Sequence, residues 1–469
     1  MSTYLSNYWT LYQEFVETFN HLKFREIPIA LLSNFYQQID NELKIKMENK
    51  DFQTNLKSPK LNQEMIQPYF EKWLEKIRVP LMQKSINGKI LINSDYTRIP
   101  ELTYKKWFNP NKTIILSRSK IPLFYGIPNE SIAKYELTNN KDSEEIVKNA
   151  TSLFEKFKNH PAFGNKFFQQ TFLNRIPLIV KTLSTVFNLF DKLDISSIVV
   201  GTTEDMQSRA LCIVGSMRGI KSICLQHGIL MGEEAFMPVF STVIGVYGDY
   251  EKRWYSKRGL TINRISELGH PKFDEIFTNS RTDKETFFKR YELAPNKQTL
   301  LVITGPHLDF IKLETLIKNI LDNPNFQIII KPHPWEIGKK KYGVYLELEK
   351  KYKLIKVYNS RENNLYELIS HVDGVVSSLS TVALESLLLN KPVFIYNFLN
   401  SNRTFDYFDK LGDYIQTDPN QLTKVVNNYY ISSVHKGIYK NIRNQYLSDS
   451  YNDGFSGKKL IDLINQSNM

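Results

Sequence analysis

Cysteine is scarce in this 469-residue chain, which contains only two. Cys212 lies in "ALCIV" and Cys224 in "SICLQ", and both stretches are apolar runs in which a cysteine packs as a small core residue. Two such thiols form neither a disulfide framework nor a CxxC metal motif. We therefore expect a reducing, cytoplasmic compartment.

We also expect no leader sequence and no membrane-spanning helix. The first residues, "MSTYLSNYWTLYQEF", lack a basic stretch followed by an apolar one, which argues against a signal peptide. No uninterrupted apolar run reaches the roughly 18 residues of a membrane span. We predict that any work at a membrane is done by peripheral docking on the inner face of the cell membrane.

Positive charge, by contrast, is in excess. Lys and Arg number 61 against 49 Asp and Glu, which gives a formal net charge of +12. This balance favours anionic partners such as nucleotides or an anionic membrane surface, although a Lys- and Asn-rich proteome produces it as well. The chain has no RNA-recognition motif, zinc-finger spacing or Arg-rich tail, so we expect no nucleic acid partner.

The pattern of apolar residues divides the chain into four parts. Residues 1–85 show the three- and four-residue spacing of helices, as do residues 420–469. Strands alternate with helices over 86–282 and again over 296–419, with a polar helical stretch between the two series. Such alternation predicts parallel βαβ units, and hence an α/β protein with two Rossmann-like, doubly wound domains facing a central cleft.

Three predicted strands end abruptly in polar residues or histidine. They are "ICLQHGIL" at 223–230, "IIIKPHPWE" at 328–336 and "VVSSLSTVALES" at 375–386. In open α/β sheets the ligand lies beyond the carboxyl ends of the strands. We therefore interpret these breaks as parts of one ligand site.

The break at 375–386 has the pattern of a nucleotide site. Open N–H groups and the helix dipole suit a phosphate where small hydroxyl residues separate a strand from an apolar helix. Glu385 lies four residues after Thr381 on the same helix face, where a carboxylate can accept hydrogen bonds from ribose hydroxyls. The alternative is an ordinary helix with Ser380 as its N-cap. The hydroxyl residues are Ser377, Ser378, Ser380 and Thr381.

The "KPHP" loop is the second candidate phosphate contact. Two prolines stiffen the loop around His333, and an exposed imidazole beside Lys331 suits a phosphate or pyrophosphate. A loop histidine without a ligand is the alternative. No second His or Cys lies at ligand spacing, so we expect no metal. Gly305 ends another predicted strand and would let the backbone approach a diphosphate.

The "LQHG" stretch offers a candidate base in the first domain. Gly228 permits a sharp turn or a close approach to a ligand, and Gln226 precedes the histidine. His227 has an ordinary pKa near neutrality and is therefore a candidate general base. A histidine satisfied within a turn is the alternative.

Two further polar stretches follow strands of the first domain. Glu204, Asp205 and Arg209 in "GTTEDMQSR" are candidates to orient His227 or to grip an acceptor. A surface salt bridge between Asp205 and Arg209 is the alternative. We expect His270 and Asp274 to be structural or to lie at the interdomain hinge.

Taken in order and spacing, "QHG", "GHPKFD", "KPHP" and "SSLSTVALESLLLNKPVF" resemble the GT-B glycosyltransferases of bacterial surface glycans. The chain is most similar to the capsule-synthesis transferases and to the teichoic-acid CDP-glycerol glycerophosphotransferases, and less so to bacterial sialyltransferases that use CMP-sialic acid. The resemblance covers residues 195–400. It implies an acceptor domain at 86–282 and a nucleotide-donor domain at 296–419.

The resemblance also implies roles for individual residues. His227 with Gly228 would supply the base, and His333 would bind the phosphates of the donor. Ser377, Ser378, Glu385 and Lys391-Pro392 would bind the nucleotide. The chain lacks an aromatic residue directly before His227, and it has "STVALE" where an Asp is usual, so it points to the capsule-type enzymes rather than to CDP-glycerol.

The function so implied is an inverting, metal-independent glycosyltransferase. It would move a sugar from a cytidine-nucleotide donor, a CMP-sugar or a CDP-polyol, to a cell-surface polysaccharide or a lipid-linked glycan. A non-hydrolysing UDP-sugar epimerase of the same fold is one alternative. A catalytically inactive glycan-binding subunit is another.

Overall fold

The computed structural model describes residues 1–82, 87–137, 141–278, 282–305, 308–360, 365–398, 405–449 and 453–466. The chain forms two compact units: Met1–Lys272 with Phe455–Met469, and Phe273–Gly454. The division therefore falls ahead of the polar helical stretch in which we expected it. The end of the chain also returns to the first unit, whereas we expected one C-terminal helical region over 420–469.

The first unit is built on an eight-stranded sheet. All neighbouring strands are parallel except the β5–β6 pair at one edge, which is antiparallel. The chain fills the sheet outward from β3 on one side and from β7 on the other, so the topological switch point lies between these two strands. In sheet order the strands are β10 (Ile265–Glu267), β9 (Val243–Val246), β8 (Lys221–Leu225), β7 (Ile195–Val200), β3 (Lys89–Asn93), β4 (Thr113–Ser117), β6 (Ile127–Ser131) and β5 (Leu123–Phe124).

Helices cover this sheet, and a short hairpin precedes it. The hairpin pairs β1 (Lys23–Phe24) with β2 (Ile27–Pro28), so the N-terminal region is not helical throughout. None of the helices in the described part of the chain is long and apolar enough to cross a membrane. The helices are α1 (Thr3–Phe19), α2 (Asn41–Lys46), α3 (Ile66–Glu75), α4 (Glu101–Trp107), α5 (Lys141–Glu155), α6 (Lys166–Lys192), α7 (Met206–Met217), α8 (Asp249–Ser256), α9 (Pro271–Thr278), at which the two units divide, and the last helix, α18 (Ser456–Asn465).

Helix α1 is buried on almost every side, so even its polar residues lie inside the first unit. Several of their hydrogen bonds are made with the backbone of other segments, as buried polar groups require. Asn7 donates to the carbonyls of Met47 and Asn49, and Glu14 accepts from the backbone of Lys57 at 2.9 Å. The helix therefore fastens the irregular segments of the N-terminal region to the domain.

The second unit contains a six-stranded parallel sheet. Counted along the chain, its strand order is that of a Rossmann fold, with the switch point between β11 and β14. The central strands are nearly continuous runs of buried apolar residues, as expected for a sheet with both faces covered. In sheet order the strands are β13 (Ile355–Val357), β12 (Phe326–Lys331), β11 (Gln298–Ile303), β14 (Gly374–Ser377), β15 (Val393–Tyr396) and β16 (Ile415–Gln416).

Eight helices complete the described part of this unit. They are α10 (Lys284–Arg290), α11 (Phe310–Leu321), α12 (Pro334–Gly338), α13 (Gly343–Lys351), α14 (Leu365–His371), α15 (Thr381–Leu388), α16 (Pro419–Ile431) and α17 (Ser433–Asp449). The prediction of two parallel α/β domains with a largely helical N-terminal region is confirmed.

Candidate functional site

The predicted phosphate residues of the second unit meet at its switch point. Strands β11 and β14 are paired with Ile303 opposite Ser377, so the residues that follow both strands emerge at one edge. A Cβ atom added to Gly305 would lie 3.6 Å from Ser378 Oγ. The structure thus brings Gly305 and the serines together where a Rossmann sheet binds its ligand.

Ser380 occupies the N-cap position of α15, but its side chain makes no capping hydrogen bond. Its hydroxyl instead lies 3.1 Å from Ser377 Oγ. Ser378, Ser380 and Thr381 are partly exposed, whereas Ser377 is buried. The helix therefore receives no hydrogen bond from the Ser380 side chain at its first turn, which is the condition under which a helix N-terminus binds an anion.

Glu385 lies deeper than we expected for a ribose contact. Its side chain is 0 % exposed, and Oε1 accepts a hydrogen bond from the Tyr366 hydroxyl at 3.1 Å. Lys391 likewise donates to the carbonyls of Ser370 and Val372. In this conformation both side chains support the α14–β15 region, and the ribose role of Glu385 stays a prediction.

The His333 side chain is fixed by a reciprocal capping box at the start of α12. Nδ1 accepts from the backbone N–H of Trp335 at 3.1 Å, and Glu336 Oε2 accepts from the backbone N–H of His333 at 2.9 Å. Because Nδ1 is an acceptor, the neutral ring carries its proton on Nε2. His333 is therefore a positioned hydrogen-bond donor, as a phosphate ligand requires.

Glu336, which we did not single out from the sequence, holds this loop in place. The carboxylate is buried and also accepts from the hydroxyls of Thr304 at 2.6 Å and Tyr345 at 2.7 Å. It thereby ties the end of β11 to the "KPHP" loop and to α13. The spacing in "HPWE", with Pro after the N-cap and Glu at its third position, is a capping-box signal that could have predicted it.

Lys331 ends β12 and is half-buried. Its Nζ atom lies 4.6 Å from the centre of the Tyr358 ring and 3.5 Å from the Ser360 carbonyl oxygen. Burial lowers the pKa of this ammonium group, because the charged form loses hydration. A bound phosphate would replace part of that lost hydration.

Tyr396 is a second contributor that sequence reasoning missed. Its buried hydroxyl donates to the Ile303 carbonyl at 2.6 Å, so β15 is tied to β11 across the end of β14. The hydroxyl also interacts with Ser378, and burial raises the pKa of Tyr396. An apolar strand ending in tyrosine carries no signal that could have identified this role.

In the first unit, His227 follows β8 and stacks on Phe236. The ring centroids are 4.9 Å apart and the planes differ by 14°, while the Tyr96 ring approaches edge-on at 6.1 Å. Burial, with a smaller contribution from the Arg98 guanidinium, lowers the pKa of His227 to about 4. The imidazole is therefore neutral near pH 7, which is the protonation state that a general base needs.

The loop after β3 supplies Tyr96 and Arg98, two residues that we did not predict. A Cβ atom on Gly201 would fall 2.1 Å from the Tyr96 carbonyl carbon, so only glycine lets the end of β7 pass this loop. Tyr96 and Arg98 have φ values of 63° and 47°, in the left-handed region that strains non-glycine residues. Both side chains are exposed beside His227.

Gln226 braces the turn that carries His227. Its Nε2 donates to the Gly228 carbonyl at 2.8 Å, and its backbone N–H donates to Gly245. Gly228 is not among the glycines with positive φ in the described residues, so the turn does not need it for a left-handed conformation.

Within the described part of the chain, Gln226 Oε1 and the Tyr255 hydroxyl are buried without a hydrogen-bond partner. Both residues line a small cavity beside His227, which suits an ordered water.

Glu204, Asp205 and Arg209 have structural contacts rather than contacts with His227. Asp205 caps α7 by accepting from the Ser208 backbone at 2.9 Å, and Glu204 accepts from Asn34 at 3.0 Å. Arg209 is only 4 % exposed, so the alternative of a surface salt bridge with Asp205 was wrong. Its guanidinium donates to the carbonyls of Leu31, Ser33 and Thr203.

These hydrogen bonds fasten the segment around residues 31–34 to α7. The hydrogen bonds engage the Arg209 guanidinium and one oxygen each of Glu204 and Asp205, whereas Asp205 Oδ2 is buried without a hydrogen-bond partner among the described residues. The roles that we expected for Glu204 and Asp205 at the site stay predictions.

His270 is also buried, and its Nδ1 accepts from the Lys272 backbone at 3.0 Å. Burial lowers the pKa of His270 to about 3. Asp274 is buried as well. The prediction that these two residues are structural or lie at the hinge stays a prediction.

Comparison with known protein families finds one match, and it lies within the second unit. Residues 304–397 match the family model described as capsule polysaccharide biosynthesis protein. No curated protein sequence matches the chain. The matched segment runs from the end of β11 to the end of β15.

Solved structures resemble the chain over most of its length. MnaA of S. aureus with UDP is 12 % identical and covers 80 % of this chain and 96 % of its own, with a TM-score of 0.52. The Neisseria meningitidis UDP-GlcNAc 2-epimerase bound to UDP-GlcNAc is 11 % identical and covers 81 % of this chain and 99 % of its own, with a TM-score of 0.52. HepE of Anabaena with UDP and glucose is 12 % identical and covers 81 % of this chain and 100 % of its own, with a TM-score of 0.51.

The fold is GT-B. At these identities the likeness establishes the fold and no more. The GT-B prediction made from the strand-end motifs is thereby confirmed. Within the described ranges, no group of three or more His, Cys, Asp or Glu side chains is placed to hold a metal ion.

Proposed function

We propose that this GT-B chain is a glycosyltransferase of bacterial surface-glycan synthesis that uses a cytidine-nucleotide donor, either a CMP-sugar or a CDP-polyol. One observation carries the proposal: the segment that matches the capsule polysaccharide biosynthesis model contains all the residues that we predict for a phosphate site in the second unit. Those residues are Gly305, Lys331, His333, Ser377, Ser378, Ser380, Thr381 and Glu385.

The second unit would hold the donor phosphate without a metal ion. His333 presents an Nε2 proton, because its Nδ1 is engaged with Trp335. Lys331 adds a positive charge, and the first turn of α15 adds backbone N–H groups with the positive end of the helix dipole. Together these groups would stabilise the charge that develops as the nucleotide leaves.

The first unit would activate the acceptor. With a CMP-sugar donor, neutral His227 would take the proton of an acceptor hydroxyl while that oxygen forms a bond to the anomeric carbon. The bond from the anomeric carbon to the donor phosphate breaks in the same step, and its electron pair leaves with the nucleotide. A single displacement of this kind inverts the anomeric centre. With a CDP-polyol donor, the acceptor oxygen would instead form a bond to the β-phosphorus, and CMP would leave with the electron pair of the broken P–O bond. The acceptor would be a polysaccharide or a lipid-linked glycan.

A pKa near 4 makes His227 a weak base in the free protein. A negative charge bound beside it would favour the imidazolium and raise the pKa towards the operating pH. The exposed Arg98 lies close enough to influence His227 and is suited to hold such an anionic group. We therefore add Arg98 to the proposed acceptor side of the site.

A UDP-sugar epimerase is the second candidate, because one of the GT-B structures compared is a UDP-GlcNAc 2-epimerase bound to its sugar nucleotide. An epimerase would convert UDP-GlcNAc with no acceptor present. Incubation of the protein with UDP-GlcNAc alone, followed by NMR of the sugar, separates the two activities. An inactive glycan-binding subunit would show normal ligand binding and no change on His227→Ala.

The proposal is tested by thermal unfolding with CMP, CDP, UDP, GDP and ADP, each with and without EDTA. A ligand of the folded state raises the melting temperature by mass action. We expect a cytidine nucleotide to raise it equally with and without EDTA, and Ser378→Ala to remove the effect. Ser448→Ala, on α17 of the same unit, is the matched control. Stabilisation by UDP alone would favour the epimerase or a UDP-sugar transferase, and no stabilisation by any nucleotide would contradict the proposal.

A further inference from the structure

Tyr96 and Arg98 are exposed in the loop that joins β3 to α4, at the switch point of the first sheet. The residues that alternate with them are buried: Thr97 is 1 % exposed and Ile99 5 %. Thr97 Oγ1 also donates to the Ser94 carbonyl at 3.1 Å. The core thus anchors the loop through two residues, and the loop presents the side chains of the other two to solvent.

Both exposed residues have a left-handed backbone, with φ values of 63° at Tyr96 and 47° at Arg98. The other non-glycine residues with positive φ in the described part of the chain lie in two-residue hairpin turns or just after a helix, where this conformation is common. Neither explanation applies to the loop at 94–100. Backbone strain without such a local reason is typical of binding and catalytic sites. The other six residues are Arg25, Glu26, Tyr125, Glu292, Lys340 and Asn390.

The two side chains lie at the same edge of the sheet as the proposed base. Strands β3, β7 and β8 are neighbours and parallel, so the residues after their carboxyl ends emerge together. Two strand positions separate β3 from β8, which is roughly 10 Å across the sheet. The Tyr96 ring bridges this gap, since its centroid lies 6.1 Å from that of His227.

Arg98 is a cation that the protein itself leaves without a counter-ion. Within the described part of the chain it has no ion pair, whereas the nearby Asp95 pairs with Arg118 at 3.5 Å. Its charge adds to the effect of burial in lowering the pKa of both His227 and His270. An anion bound at Arg98 would therefore lie beside the proposed base.

We propose that Tyr96 and Arg98 form an acceptor subsite that binds a negatively charged sugar residue. The exposed Tyr96 ring would stack on the apolar C–H face of the sugar ring. The Arg98 guanidinium would donate two parallel hydrogen bonds to a carboxylate or a phosphate on that sugar. The sugar so held would present a hydroxyl to His227, and its negative charge would stabilise the imidazolium that forms when His227 takes the proton.

The inference rests on the proposed function, because it takes His227 as the base that faces the acceptor. It adds the chemical class of the acceptor, whose residue at the reacting hydroxyl carries a carboxylate or a phosphate. A neutral sugar would leave the Arg98 charge uncompensated beside His227. Binding of an anionic sugar is measured without any donor, so the subsite and the transfer reaction can fail separately.

The test is titration of the full chain with glucose, glucuronic acid and glucose 6-phosphate, followed through the imidazole NMR signals of His227. The three probes share one ring and differ only in the group at its sixth carbon. We expect an anionic sugar to bind at least about fivefold more tightly than glucose, as a hydrogen bond to a charged group contributes. A preference for glucuronic acid would identify a carboxylate on the acceptor, and a preference for glucose 6-phosphate would identify a phosphate.

Two variants separate the roles of the two side chains. Arg98→Gln should remove the difference between the charged sugars and glucose. Tyr96→Ala should weaken the binding of all three probes by about fivefold, since each loses the same stacking contact.

The matched controls are Arg25→Gln and Tyr125→Ala, because both residues are exposed and have positive φ. Arg25 lies in the β1–β2 hairpin against the Phe187 ring. Tyr125 directly precedes β6, which is parallel to β4, so it lies at the amino edge of the sheet, opposite His227. Both control variants should bind the three probes as wild type does.

Replacement by glycine separates binding from folding. Glycine adopts the left-handed conformation without strain, so Tyr96→Gly and Arg98→Gly keep the loop and remove one side chain each. Both variants should melt at or above the temperature of wild type while losing binding in the same way as Tyr96→Ala and Arg98→Gln. Lower melting temperatures would show that the side chains serve to hold the loop, and would overturn the proposal.

Three further results would overturn it. The first is equal affinity of wild type for the three probes, including no binding of any. The second is a wild-type preference for charged sugars in Arg98→Gln. The third is loss of nucleotide stabilisation in Arg98→Gln, since Arg98 would then bind the phosphate of the donor. Nucleotide stabilisation of wild type tests the proposed function independently.

Discussion

The His227 ring lies parallel to the Phe236 ring, with 4.9 Å between their centroids. Phe236 belongs to the loop after β8, and Glu233 of that loop accepts hydrogen bonds from Trp9 at 2.9 Å and from Arg258 at 2.7 Å. Helix α1 thus helps to hold the loop that covers the proposed base. The N-terminal region therefore helps to position the loop beside His227, in addition to packing in the core of the first unit.

This stacking predicts an unusual titration of His227. NMR of the imidazole protons should give a pKa of about 4, and Phe236→Ala should raise it towards the usual 6.5 by admitting water. The acid limb of kcat/KM should move in the same direction. Phe167→Ala, at an exposed position of α6, is the control and should leave the pKa unchanged. A wild-type pKa near 6.5 would show that the ring is hydrated and the stack is not formed.

Buried His270 predicts a loss of stability on mild acidification. Its folded-state pKa of about 3 lies below the unfolded value, so between pH 6.5 and 4 the unfolded chain binds a proton that the folded chain does not. The free energy of unfolding should therefore fall as the pH falls through this range, by up to about 3 kcal/mol from this group. Urea unfolding at pH 7, 6, 5 and 4 measures it. His270→Gln should flatten the dependence relative to wild type, and an equal slope in both proteins would contradict the assignment.

Removal of the Glu336 carboxylate should loosen the phosphate site. Glu336→Ala leaves the Thr304 and Tyr345 hydroxyls without their acceptor, and the His333 backbone N–H keeps only its longer contact of 3.3 Å to Thr304 Oγ1. We expect the free energy of unfolding to fall by about 2–4 kcal/mol, and nucleotide affinity to fall with it as His333 loses its orientation. Unfolding and nucleotide titration measure the two effects.

The control for this variant is Glu347→Ala, since Glu347 makes an exposed ion pair with Lys350. Its effect on stability should be within about 0.5 kcal/mol, as for most exposed pairs. Equal behaviour of the two variants in both measurements would show that Glu336 does not hold the loop.

Arg209 should behave as a structural residue. Arg209→Ala leaves three buried carbonyl groups without a donor, so we expect a loss of about 3 kcal/mol or more in the free energy of unfolding. Arg209→Lys should not restore it, since one ammonium cannot reproduce the guanidinium geometry. Activity per folded molecule should stay near that of wild type. A large loss of activity without a loss of stability would contradict this and would favour a direct role of Arg209 in binding the acceptor.

The strand-end motifs could be predicted because they follow from a general property of open α/β sheets. Ser378, Gly305 and His333 are polar or small residues directly after apolar runs, and the carboxyl ends of parallel strands share one edge. The spacing of "HPWE" also contains a capping-box signal from which the role of Glu336 could have been predicted. These signals are local, and local chemistry determines where such residues lie.

Other features depend on tertiary contacts that no local pattern reveals. Leu460 and Leu463 of α18 pack in the core of the first unit, but an amphipathic helix does not name the surface that it covers. Arg209 and Glu204 looked like cleft residues because the segment at 31–34 that binds them lies far away in sequence. Arg98 influences the pKa of His227 from a strained loop. The conformation of that loop depends on Gly201, which packs directly against its backbone.

The most direct test of the central claim is acceptor-dependent nucleotide release. The protein would be mixed with CMP- and CDP-activated donors, with and without a lipid-linked glycan fraction, and the released nucleotide and the anomeric configuration of the product would be measured. We predict release of a cytidine nucleotide only when acceptor is present, with an inverted product when the donor is a sugar, and at least about a hundredfold loss with His227→Ala but not with His21→Ala. Conversion of UDP-GlcNAc without acceptor, or release unaffected by His227→Ala, would contradict it.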